Sequence, residues 1–221
     1  LIEEISGYLK GKDHEEIPAI AVYYQVFLTL TEEPNDAHFE KLKVLLQRFF
    51  RQFSASEMRQ LYVHAINYCL RKSRQQNERY VVEALDLYSQ GIERAVLLDK
   101  GILSPWTFEN VIKLGLRLKR YDWTEQFIKK HASSLAKNFR ENAVNYGLAD
   151  LNYHKGNLEE SMNYLRLVEF SDFFFTLNAK IMLLKLYYDR DEEDALESLI
   201  ASFKIFLKRN KLISEEVKKT Y

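Results

Sequence analysis

Apolar residues recur at intervals of three and four along almost the whole chain. That spacing puts them on one face of an α-helix. Cap and breaker residues cut the pattern into segments. Pro18 marks an early boundary, with a helix predicted over residues 19–30. Residues 31–36 form a turn containing Pro34, and the next helix runs over about 37–52. Ser54 followed by Glu57 is a capping box: the hydroxyl takes a free amide of the first turn and the carboxylate reaches back. It opens a helix to about Arg71, after which 72–78 reads as a polar loop. A long helix follows over 79–98, ended by Asp99-Lys100-Gly101. Ser104-Pro105 restarts the chain, with serine at the cap and proline where its missing N–H costs nothing. Further helices are predicted over 105–119, 123–137, 141–155, 158–168, 172–189 and 192–209, and Ser214 caps a last one. The connections are short, so consecutive helices must pack antiparallel.

A longer period overlies this one. Gly115, Ala149 and Leu183 stand 34 residues apart. Leu114, Leu148 and Met182 keep the same interval, as do Phe127, Ser161 and Ala195, and also His131, Leu165 and Leu199. Two helices in 34 residues is the period of the tetratricopeptide repeat. The residues resemble that family as well. Leu114-Gly115 and Leu148-Ala149 supply its large-small pair in the first helix, Gly156-Asn157 its turn, and Ser161 and Ala195 its small position in the second helix. Small residues there let two helix backbones approach closely. The match has departures: Leu183 and Phe127 are large, Arg190-Asp191 holds the turn place one period after Gly156-Asn157, and Tyr121-Asp122-Trp123 replaces the glycine turn. Residues 105–221 are therefore read as three repeat units plus a C-terminal capping helix. Residues 1–104 are read as irregular helical pairs, degenerate repeats in one continuous stack. The resemblance implies an all-α, right-handed α-solenoid.

Composition sharpens this picture. Only 7 glycines and 3 prolines in 221 residues leave few turn-formers for an all-β fold. With 47% hydrophobic residues the chain can bury a sizeable core. Lys+Arg and Asp+Glu balance at 32 each, without the basic excess of a dedicated nucleic-acid binder. The longest apolar stretch, 19–30, is broken by Gln25 and is too short to span a membrane. The one cysteine, Cys69, lies in an apolar helical context and reads as a buried hydrophobe, which suits a cytoplasmic chain. The chain begins Leu-Ile-Glu-Glu inside a helical pattern and is read as part of something longer.

No residues form a catalytic or cofactor-binding constellation. His14, His38, His64, His131 and His154 show no metal-ligand spacing, and Asp13-His14-Glu15-Glu16 reads as a solvated loop. Gly7 and Gly11 lack the spacing and tail of a phosphate loop. The basic run Arg71, Lys72, Arg74 and Arg79, together with Lys119 and Arg120, is where a nucleic acid or acidic partner suggests itself. In the family resembled, the first helix of each pair lines a concave groove that holds peptides. By register this implies a groove of Lys119, Arg120, Tyr146, Asp150, Tyr153, His154, Lys180, Tyr187 and Tyr188. The family's chaperone-tail clamp is missing, because Leu116, Asp150 and Leu184 stand where its asparagines belong. The expected function is a non-enzymatic scaffold or adaptor, binding a peptide or helix of a partner protein without cofactor or metal. A nucleic-acid-binding helical repeat is the alternative.

Overall fold

A computed structural model describes residues 7, 16–32, 35–75, 77–169 and 173–209. The 13–15 loop, Pro34, the Ser214 helix and the side chains of Phe173 and Phe174 fall outside that set. The described residues form ten α-helices and one short ribbon of two strands. The chain is all-helical, and it divides into two compact units, Leu1–Thr107 and Phe108–Tyr221.

The first unit begins with α1 (Pro18–Thr31) and α2 (Asp36–Arg48), which pack together. Pro18 sits in the first turn of α1, and the Asn35 side chain accepts the Ala37 amide at 3.2 Å to start α2. The Ser54–Glu57 capping box forms as expected and opens α3 (Ala55–Arg74). This helix packs along α4 (Glu78–Glu93). Their shared core holds Phe39 stacked on Tyr68 with ring centroids 4.8 Å apart. Tyr80 closes the cluster, 5.8 Å from Phe39 and 5.7 Å from Tyr68. Cys69 is fully buried beside them, and that burial pushes its thiol pKa up.

Several boundaries differ from the sequence reading. Helix α2 stops at Arg48 and a 3-10 turn, Phe50–Gln52, follows it. Helix α3 continues to Arg74, so most of the supposed loop after Arg71 is helical. Helix α4 ends at Glu93 rather than Leu98. Val96 and Leu97 kept the apolar rhythm going because they fold back into the core; Leu97 lies against Gly91, where an added Cβ would meet it at 2.7 Å. Then comes the ribbon, β1 (Leu98–Asp99) and β2 (Ile102–Leu103). Lys100 and Gly101 make its tip with φ of 50° and 82°, the two positive angles of a tight hairpin. Arg59 on α3 holds the ribbon by donating to the Val96 and Leu98 carbonyls.

The second unit comprises α5 (Pro105–Arg117), α6 (Tyr121–His131), α7 (Lys137–His154), α8 (Leu158–Arg166), α9 (Phe173–Asp189) and α10 (Glu193–Arg209). The α5–α6, α7–α8 and α9–α10 turns share one geometry. Lys119, Gly156 and Asp191 adopt φ of 56°, 81° and 54°. The next amides, of Arg120, Asn157 and Glu192, each donate to the carbonyl five residues back at 2.9 Å. This is the left-handed helix stop usually given to glycine. Only one of the three is glycine; Asp191 falls within the Arg190-Asp191 turn read from the sequence, while Lys119 precedes the Tyr121-Asp122-Trp123 segment read there in place of a glycine turn.

Counting from these turns departs from the 34-residue alignment of the sequence. Thr124 and Ser161 are each the fourth residue of the second helix, and both are fully buried. The Thr124 hydroxyl donates to the Arg120 carbonyl at 2.8 Å, and that of Ser161 to the Ala149 carbonyl at 2.7 Å. A Cβ on Gly115 would lie 2.3 Å from Thr124 Oγ1. Thr124, rather than Phe127, is thus the small residue facing Gly115. The α5 helix reaches its turn three residues sooner than α7 does, which displaced the 34-residue alignment. Phe127 is free to stack instead between Phe108 and Trp123, each at 5.5 Å.

Candidate partner surface

Helices α5, α7 and α9 are neighbours, with α7 in contact with both of the others. Gly147 permits the first contact, since a Cβ there would stand 2.7 Å from Ile112 of α5. At one end of this face polar side chains cross from helix to helix. Asn178 of α9 donates to Glu109 of α5 at 2.8 Å, and Lys113 pairs with the same carboxylate. Asn142 exchanges two hydrogen bonds with the Glu169 backbone, at 2.9 and 3.0 Å. Tyr146, expected to line the groove, is buried here.

The open end lies at the C-terminal turns of α7 and α9. Asp150 is only 5% exposed, and its Oδ1 lies 3.2 Å from His154 Nδ1. That contact raises the pKa of His154 and favours the imidazolium. Tyr153 donates to Asp189 Oδ2 at 2.7 Å, crossing from α7 to α9. The Asp189 bond, aided by burial, pushes the Tyr153 pKa up to about 12, so its hydroxyl is a donor at neutral pH and not a base. The Lys185 ammonium sits 5.8 Å from the centre of the Tyr153 ring. Tyr188 is 72% exposed. The structure thus brings together Asp150, Tyr153 and His154 from the expected set, leaves Tyr188 exposed and near the α9 members in sequence, and adds Lys185 and Asp189. These two were missed, although they stand one turn apart on α9 and flank Tyr188.

The remaining candidates go elsewhere. Lys180 lies over the Phe206 ring of α10 at 5.8 Å. Tyr187 lines a separate pocket of about 370 Å³ with Leu183, Ala195 and residues of α8. Lys119 and Arg120 are exposed in the α5–α6 turn. In the first unit the basic run is partly spoken for: Lys72 pairs with Asp36 at 3.5 Å, and Arg79 with Glu40 and Asp36. Burial lowers the pKa of His64, whose Nε2 lies 2.9 Å from the Thr29 hydroxyl. That hydroxyl donates to the Val26 carbonyl, so the neutral ring supplies the proton between them.

Among the described residues no three His, Cys, Asp or Glu side chains are grouped to hold a metal ion. Nor is any described helix long and apolar enough to cross a membrane. No family model, curated protein or solved structure matches the chain.

Proposed function

We propose that the second unit is a stack of three tetratricopeptide-like helix pairs, wound as a right-handed solenoid, and that it serves as a non-enzymatic interaction scaffold. The docking surface is the open end of α7 and α9, and the occupant is an extended peptide or a helix of a partner protein. One observation carries the reading: Tyr153, His154, Lys185, Tyr188 and Asp189 present aromatic rings, one cation-prone imidazole and both signs of charge on two adjacent helices. Exposed aromatics beside oriented polar groups are the usual anchors of protein partners. The repeated turn supports the stack, since three hairpins that stop in the same way present equivalent helix ends. The nucleic-acid alternative draws less support, because Lys72 and Arg79 already face carboxylates.

The test is comparative capture with Tyr153→Ala/Tyr188→Ala. Neither residue is in the buried core, so the variant should keep its helical circular dichroism. Retention of specific partners should fall about tenfold or more, as for aromatic hot spots. A folded variant that retains the same partners in the same amounts refutes the assignment.

A further inference from the structure

The first unit holds a cleft that the reading above does not use. Its volume is about 400 Å³, and it lies between α2 and α4 over a floor that includes Leu46 and the Tyr62 ring. Ligand pockets run from about 300 to 1,000 Å³, so this one suits one or two side chains and not a large cofactor. Its two walls follow one pattern. Glu40, Lys43, Val44 and Gln47 line it from α2, at helical positions i, i+3, i+4 and i+7. Glu83, Asp86, Leu87 and Gln90 line it from α4 at the same spacing. Such residues form one continuous stripe on a helix, so two like stripes face each other.

The charge in the cleft is uneven, with three carboxylates against one ammonium. Lys43 occupies one end and bridges Glu83 at 2.7 Å and Glu40 at 3.0 Å. Glu40 also meets Arg79 from outside. One turn further along α4, Asp86 makes no ion pair among the described residues. Val44, in the same cleft, is 62% exposed, an aliphatic side chain left in water on an otherwise polar stripe.

We infer that this cleft receives a cationic side chain, arginine in particular, from an extended segment of a partner protein. Arginine combines an apolar stem with a planar charged head. The stem lies along Val44 and Leu87. The guanidinium reaches Asp86, with the side-chain carbonyls of Gln47 and Gln90 as further acceptors. Lys43 shows the same chemistry from within the chain, a cation on an alkyl stem held between α2 and α4 carboxylates. Anionic ligands are disfavoured by the carboxylate excess. The inference is independent of the α7–α9 surface, and either can fail without the other.

The probe is the tripeptide acetyl-Leu-Arg-Leu-amide, followed by amide chemical shifts of the intact chain. The control peptide replaces arginine with citrulline, which keeps the shape and removes the charge. Saturable shifts are expected at residues 40–47 and 83–90, weakened in the citrulline peptide and by added salt. Asp86→Asn should weaken the arginine peptide about threefold to fivefold, the range of a partly exposed ion pair. Asp86 is exposed and outside the core, so this variant should fold. No saturable shift at these residues, equal binding of both peptides, or an unchanged Asp86→Asn titration overturns the proposal.

Discussion

Phe39→Ala is expected to lower the stability of the first unit by about 3–5 kcal/mol, the usual cost of emptying a buried aromatic site. Phe39 is fully buried on α2 and touches both helices of the next hairpin. Its ring is stacked on Tyr68 and tilted against Tyr80, and the Lys43 ammonium lies 5.2 Å from its centre. Loss of the ring therefore leaves a cavity at the junction of three helices, and two tyrosines lose a face. Collapse is restrained because Tyr68 is tied by its hydroxyl to Asp36 at 3.4 Å. Urea unfolding, with a slope of about 1–3 kcal/mol per molar for a unit this size, would move its midpoint by more than 1 M. A shift under about 0.3 M would mean that the aromatic cluster is not the centre of this unit.

Ser161→Leu is expected to destabilise the second unit by about 2–3 kcal/mol, an overpacking penalty at a close helix contact. Ser161 has no exposed surface, and its hydroxyl donates to the Ala149 carbonyl on the facing helix. A leucine there must push α8 away from α7. Ser161→Ala removes only the hydrogen bond and should cost about 1 kcal/mol. The difference between the two substitutions isolates the steric term. In a unit of this size each kcal/mol shifts the melting temperature by about 4–8 °C. Equal melting temperatures for the serine and leucine proteins would show that α7 and α8 do not touch at this point.

The sequence was legible where one residue type does one physical job. Ser54 and Glu57 announce the start of α3 because the pair satisfies two backbone amides reciprocally. It was illegible where tertiary contact replaces a local signal. Val96 and Leu97 extend an apolar rhythm beyond α4, yet they are buried by folding back on Gly91. Lys119 stops its helix in a conformation that costs a side chain about 1 kcal/mol, and nothing in its identity says so; Asp191, a type that tolerates this region, was at least placed in a turn. The 34-residue spacing does not carry over to the turns, since Lys119, Gly156 and Asp191 stand 37 and 35 residues apart (156−119 and 191−156). One shortened helix was enough to misplace Phe127 and hide Thr124.

The candidate surface shows the same division. Periodicity placed Tyr153, His154 and Tyr188 in helices over 141–155 and 172–189, and they lie on α7 and α9. It could not show that Asn178 reaches Glu109 and closes the other end. That bond joins residues 69 positions apart. Tyr187 and Tyr188 are adjacent in sequence, but one lines a pocket toward α8 and α10 while the other points into solvent. A helical step of about 100° separates them, so a small error in register exchanges their roles.

Site-directed photo-crosslinking tests the central claim most directly. A benzoylphenylalanine would replace Tyr188 in one protein and Leu167, which is 59% exposed in the segment after α8, in another. Irradiation in extracts of the native cell should give a discrete protein adduct from position 188 and not from position 167. That adduct should disappear when Tyr153→Ala is added. No adduct at 188, or the same adduct at both positions, would contradict the assignment of the α7–α9 surface as the partner site.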